Sequence, residues 1–344
     1  MLHRIKVLVA DDSAFMRRAI VAMLEAHADI HVVATARNGE EAVEKTFALR
    51  PDVVTMDVAM PEVDGLEAVR RIVAQAHVPI IMVSAHTRAG AETTFKALEL
   101  GAVDFVAKPD AAYANIENVA LDLVEKVRGC AGRAQVLVPP PIKRVTRSSV
   151  EGKRSAFHCV AIGASTGGPV ALSHLIPALP GDFPAAVLVV QHMPAGFTPA
   201  LAKRLDGLSK LRVREGREGT VLEPGGVTIV PAGRQLALQN SGGRVSLRLH
   251  DDEGSLHVPS VDALASEVAQ AYGAAGIGVV LTGMGRDGAD GLRHLKESGG
   301  YVIGQDEATC VVYGMPRAAA LAGVVDRVAP LSEIPEILCG LCIT

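Results

Sequence analysis

The sequence predicts two α/β domains, the first on a five-stranded parallel sheet and the second on a larger, predominantly parallel sheet with an antiparallel section. Three observations carry that prediction. Residues 1–128 alternate apolar runs with amphipathic stretches five times over, residues 129–156 break every periodic pattern, and residues 157–344 resume the alternation in a different rhythm. Such alternation builds a wound sheet with helices on both faces, because parallel strands need a crossover long enough to be a helix.

In the first segment strands are expected at 5–10, 31–36, 53–57, 80–84 and 105–107, with helices near 14–26, 39–49, 65–76, 90–99 and after 115. Continuous apolar strands suit a sheet covered on both sides. The middle segment holds Pro139-Pro140-Pro141 and six basic residues (Arg133, Lys143, Arg144, Arg147, Lys153 and Arg154) against the single acid Glu151. It reads as a basic tether between two mildly acidic domains. The last segment offers strands at 158–163, 186–191, 227–230, 236–238, 245–249, 277–281 and 301–303, with helices near 168–178, 198–206, 261–272 and 288–298. The antiparallel section is expected around 227–249.

Composition narrows the function. With 344 residues, 49% apolar and 21% charged, the chain has room for two real cores. The absence of Trp argues against base-stacking or sugar-stacking surfaces. The N-terminal apolar run meets Asp11 and Asp12 too soon for a signal peptide, and no stretch is long enough to span a membrane, so a cytoplasmic protein without membrane insertion is expected. Five scattered cysteines read as reduced thiols, and the Cys339/Cys342 pair lacks a second pair of zinc ligands and reads as part of a frayed tail.

In the first domain the polar residues gather at strand carboxyl ends, where open α/β sheets bind ligands. Asp11 and Asp12 follow strand one, Asp57 ends strand three, Ser84 ends strand four and Lys108-Pro109 follows strand five. Carboxylates crowded at one edge repel unless a hard cation joins them; Mg²⁺ takes oxygen ligands and leaves positions for phosphate oxygens. Val9-Ala10-Asp11-Asp12-Ser13, Met56-Asp57-Val58-Ala59-Met60-Pro61, Asp64-Gly65, Ser84-Ala85 and Lys108-Pro109 resemble the response-regulator receiver domain, a flavodoxin-like fold. That resemblance implies Asp57 as phosphoryl acceptor, Mg²⁺ held by Asp11, Asp12 and Asp57, and Ser84 and Lys108 as phosphoryl contacts. It implies a sensor histidine kinase as phosphodonor and makes Phe105 the switch aromatic. Ala59 departs from the acid many relatives carry there.

In the second domain Gly163-Ala164-Ser165-Thr166-Gly167 follows a strand and precedes a helix. A G-x-S-x-G turn exposes the serine Oγ, and the helix N-terminus behind it favours an oxyanion. His192 ends the next strand, and Asp287 lies in Thr282-Gly283-Met284-Gly285-Arg286-Asp287-Gly288 after another. Ser165, His192 and Asp287 can therefore meet at one sheet edge as nucleophile, base and orienting acid. Their chain order differs from the usual Ser, Asp, His of α/β-hydrolases, which predicts a different topology.

These stretches, with Gln305-Asp306-Glu307-Ala308-Thr309-Cys310-Val311-Val312-Tyr313-Gly314-Met315-Pro316, resemble the chemotaxis protein-glutamate methylesterases. The resemblance implies hydrolysis of glutamate methyl esters on chemoreceptors and deamidation of receptor glutamines, with no cofactor for the esterase chemistry. The backbone N–H of Met284 is then an oxyanion donor, and the receiver covers the active-site edge of a monomer until phosphorylated. Two rival classes are weighed. A dinucleotide-binding oxidoreductase would need an acid at the end of the next strand, which ends instead in Gln191-His192. A non-enzymatic regulator that docks onto protein would have no use for an intact Ser/His/Asp set, and DNA binding suits neither the acidic balance nor the lack of a helix-turn-helix.

Overall fold

The structure is a computed structural model that describes residues 4–85, 87–108, 116–132, 158–252 and 254–342. Pro109 and the prolines and basic residues of the tether lie outside the described residues. The chain divides into two compact units, Met1–Val138 and Pro139–Thr344.

The first unit runs β1 (Ile5–Ala10), α1 (Ala14–Glu25), β2 (Ile30–Ala36), α2 (Gly39–Leu49), β3 (Val53–Asp57), α3 (Gly65–Gln75), β4 (Ile80–Ser84), α4 (Arg88–Glu99), β5 (Asp104–Ala107) and α5 (Ile116–Cys130). All strands are parallel in the order β2-β1-β3-β4-β5. The order reverses between β1 and β3, so the crevice there opens between Asp11 and Asp57. Helix starts follow local chemistry: Ser13, Asn38, Asp64 and Thr87 cap α1 to α4 by accepting a backbone N–H three residues on. α1 packs with α5, and α2, α3 and α4 pack in succession. β3 and β4 are buried at every residue, as their unbroken apolar pattern predicts.

The second unit runs β6 (Cys159–Ala164), α6 (Gly168–Ala178), β7 (Ala186–Gln191), α7 (Thr198–Leu208), β8 (Arg212–Glu215), β9 (Gly226–Ile229), β10 (Gln235–Ser241), β11 (Arg244–His250), α8 (Val261–Tyr272), β12 (Gly276–Val280), α9 (Ala289–Glu297), β13 (Tyr301–Gln305), α10 (Met315–Leu321), β14 (Arg327–Ala329) and α11 (Ile334–Cys342). Seven strands form one parallel sheet in the order β14-β13-β12-β6-β7-β9-β8. Antiparallel pairing is confined to the separate β10–β11 hairpin, closed by Gly242 and Gly243 at φ +62° and +84°. The stretch near 227–230 therefore joins the parallel sheet and not the antiparallel section. β8 and β14 appear as additional short edge strands.

α6 packs with α7 and α11, while α8, α9 and α10 pack in succession. Val261, Leu264 and Val268 of α8 enter a core with Leu292 and Leu295 of α9. Cys339 and Cys342 lie buried in α11, so the carboxyl end up to residue 342 is a docked helix and not a frayed tail. Burial pushes both thiols up to about 12.

Gly65 shows how tightly the first crevice is built. Its N–H donates to the Val58 carbonyl at 3.0 Å, and a Cβ there would stand 2.0 Å from the Asp57 carbonyl oxygen. Gly65→Ala is expected to destabilise the first unit by roughly 1–3 kcal/mol through overpacking. Denaturant unfolding of the full chain, followed at the first unit's transition, checks this; an unchanged midpoint would contradict it.

Candidate functional site

The first site is an acid pocket. Asp11, Asp12 and Asp57 each offer a carboxylate oxygen, all within 4.8 Å of one another. Lys108 Nζ lies 2.9 Å from Asp11 Oδ2 and 2.7 Å from Asp57 Oδ2. Asp11 and Asp57 are buried, whereas Asp12 is exposed. The other Asp11 oxygen accepts the Ser13 N–H at 2.8 Å, which turns the chain into α1. Burial raises the Asp57 carboxyl above its ordinary value against the opposing pull of Lys108, and Asp11 adds to the rise. Burial works against the charge on Lys108, but its contacts with Asp11 and Asp57 prevail and raise its pKa. Asp57 pairs in register with Val83, which sets Ser84 at the adjoining strand end. Ser84 is fully buried and its Oγ donates to the Gly90 carbonyl at 3.3 Å.

The residues fit a hard cation. Asp11 Oδ2 is buried and has no hydrogen-bond donor aligned on it among the described residues, its approach to Lys108 being a charge contact. Three carboxylates against one lysine leave net negative charge in a partly buried pocket, and an oxygen-seeking divalent ion offsets that cost.

The second site lies at the carboxyl edge of the seven-stranded sheet. Ser165 follows β6, His192 follows β7, and Asp287 lies on the loop from β12 to α9. The strand order reverses between β6 and β12, the crevice position for an open α/β sheet. His192 Nε2 and Asp287 Oδ2 are 2.8 Å apart. Asp287 accepts three further bonds from the start of α8: Ser260 Oγ at 3.1 Å, Val261 N–H at 2.7 Å and Asp262 N–H at 3.0 Å. Burial pushes the Asp287 carboxyl up, but His192 and the two N–H groups outweigh it and hold it well below the usual carboxylate range. With Nε2 committed to an ionised acid, Nδ1 is the nitrogen left to take a proton.

Ser165 sits on a turn tied from several sides. Its N–H donates to the Thr282 carbonyl at 3.1 Å, and Gly167 takes φ +77° before α6 begins. A Cβ at Gly283 would stand 2.8 Å from the Ser165 Cβ, so the Gly283-Met284 backbone is flush with the serine. The Met284 N–H donates to no backbone carbonyl among the described residues. Thr282 Oγ1 donates to the Thr166 carbonyl at 2.9 Å, and its N–H reaches Gln305 Oε1 at 2.8 Å.

The structure thus brings together His192 and Asp287, and sets Ser165 beside Met284. Several participants were not found in the sequence. Ser260, Val261 and Asp262 hold Asp287; the signal was present as a serine before an apolar-periodic run, the mark of a helix cap. Gln191 was seen only as a strand end, yet its Nε2 donates to the Ser165 carbonyl at 2.8 Å and the His192 carbonyl at 2.9 Å. His257 stacks on His192, and nothing in its local sequence marks it.

A carboxylate pocket on one wound sheet and a Ser/His/Asp edge on another belong to a hydrolase joined to a receiver domain. Residues 160–338 match the CheB methylesterase family, and residues 7–118 match the response regulator receiver domain. The chain belongs to the CheB methylesterase family. It is 42% identical to a protein-glutamate methylesterase/protein-glutamine glutaminase of Moorella thermoacetica, with 98% of each chain covered. A relative of the same name from Archaeoglobus fulgidus is 45% identical over 96% of each chain. The crystal structure of the Thermotoga maritima CheB methylesterase catalytic domain is 45% identical with a TM-score of 0.53, covering 54% of this chain and 98% of that one.

Because the Asp287 carboxyl is held below its unperturbed value of 3.8, it stabilises the second unit above about pH 4 and loses that effect as acid titrates it. The stability gap between the native chain and Asp287→Asn is expected to be smaller at pH 3 than at pH 6. Denaturant melts at the two values measure it, and a gap that widens on acidification would refute the assignment.

Proposed function

We propose that the chain is a phosphorylation-regulated esterase that hydrolyses glutamate 5-methyl esters on methyl-accepting chemoreceptors and deamidates receptor glutamines. The observation that carries the reading is the 2.8 Å pair between His192 Nε2 and Asp287 Oδ2 at the sheet edge that also bears Ser165. In this reading Ser165 is the nucleophile, His192 the general base and Asp287 its partner. His192 Nδ1 takes the Ser165 proton as Oγ bonds to the ester carbonyl carbon, and the carbonyl oxygen becomes an oxyanion facing the Met284 N–H. Collapse breaks the bond to methoxide, which leaves as methanol with the proton from His192. Water then attacks the glutamyl–serine ester by the same route, giving glutamate and regenerating Ser165. A primary amide follows the same steps and releases ammonia in place of methanol.

In the first unit Asp57 is the phosphoryl acceptor, and Ser84 and Lys108 contact the phosphoryl group. Asp11, Asp12 and Asp57 would hold Mg²⁺, which when bound screens charge between the acceptor and an incoming phosphate. Lys108, already paired with Asp57 at 2.7 Å, supplies the remaining positive charge. A sensor histidine kinase as phosphodonor and methylated chemoreceptors as substrates are the partners this reading calls for, met by a cytoplasmic monomer. The working division is a receiver at 1–128, a tether at 129–156 and an esterase at 157–344. The matches to both family models support it, as does the separation of the chain into two compact units.

Ser165→Ala is expected to lower methanol release from methylated receptor by at least about a thousandfold while phosphate uptake from acetyl phosphate is retained. Asp57→Asn should show the converse: basal methanol release persists, and stimulation by acetyl phosphate with Mg²⁺ disappears. Substantial turnover by the serine variant would sink the esterase assignment, and a stimulated Asp57 variant would sink the switch.

A further inference from the structure

We propose that His257 is a positioning residue for the general base: its neutral ring, stacked on His192, fixes the plane of that imidazole and keeps a second positive charge away from it. The proposal rests on the reading of His192 as the base, and four observations support it.

The two rings are nearly parallel, with centroids 4.2 Å apart and planes 15° from one another. Asp287 pins His192 at one atom, Nε2, and a single bond leaves the ring free to turn about that contact. A second ring laid on its face removes that freedom, so Nδ1 is aimed as well as available. His192 is only 12% exposed, so little water competes for the covered face.

The second observation is where His257 comes from. It precedes by three residues Ser260, the cap of α8, and Ser260, Val261 and Asp262 are the donors that hold Asp287. One short segment, 257–262, thus sets both restraints on the base: the acid behind it and the ring over it.

The third is electrostatic. When His192 takes the serine proton it becomes cationic, and a neutral aromatic face beside it is attractive. A protonated ring at 4.2 Å would instead repel it. Two titratable groups bear on His257: His192 from the end of β7 and Asp287 from the β12–α9 loop. Burial, and then His192, lower the His257 pKa, while Asp287 acts the other way. The net direction keeps His257 neutral where the enzyme works.

The fourth is the absence of a simpler role. Among the described residues no hydrogen bond or ion pair is made by the His257 side chain, so its ring serves the stack and not a polar network.

The expected signature is a fall in kcat, with KM unchanged, that an aromatic replacement prevents. His257→Ala removes the ring and should lower kcat at pH 8 about tenfold with KM unchanged. His257→Phe keeps a ring on His192 and should hold kcat/KM at pH 8 within about threefold of native. Methanol release by the full-length chain and inactivation of Ser165 by a serine-directed phosphonate supply two independent readouts. A His257→Phe variant that loses tenfold or more in kcat, or a folded His257→Ala variant that keeps native kcat, overturns the proposal. The Phe variant carries the test even if the Ala variant does not fold. Failure of the triad reading itself looks different: Ser165→Ala or His192→Gln would then remain active.

Discussion

In a parallel sheet every strand delivers the residue that follows it to the same edge, and both active regions of this chain are consequences of that geometry. Asp11, Asp57 and Lys108 arrive at one edge from three strands, and Ser165, His192 and Asp287 arrive at another. The same convergence concentrates charge, and the two units relieve it by different means. The first uses a lysine, Lys108, paired with two of its three carboxylates. The second uses backbone: the opening N–H groups of α8 surround Asp287, where the helix has donors without internal partners. A lysine side chain can re-aim, whereas the backbone donors are fixed by the helix that carries them.

Much of this was legible from the residues. Fully buried strands such as Val53–Asp57 and Ile80–Ser84 announce themselves as runs rich in β-branched residues between turn residues. The edge strands Arg212–Glu215 and Arg327–Ala329 do not, because an edge strand is short and half-solvated and so carries charges instead of a pattern. Gly226–Ile229 was readable as a strand but not as a parallel one, since pairing direction depends on a neighbour far away in sequence. Site residues at strand ends could be named for the same reason strands could. His257 could not: its role depends on a loop folding back over a residue 65 positions earlier, and no local spacing records that.

The interior of the second site is organised by two uncharged side chains. The Gln191 carboxamide joins the carbonyls of the nucleophile and base segments, Ser165 and His192. Its Oε1 is buried without a hydrogen-bond partner among the described residues, a cost accepted to keep both donor hydrogens on those carbonyls. On the other side Thr282 links the elbow to β13 through Gln305. Both are fully buried, so neither titrates nor exchanges with solvent, and the reactive groups can change charge against a frame that does not.

Asp287 carries one further meaning. The carboxylate that pairs with His192 also closes the N-terminus of α8, a helix whose other face fills the core. Assembly of the reactive edge and completion of the helix are therefore one event. A substitution that unseats the start of α8 unseats the acid as well, although it touches neither Ser165 nor His192.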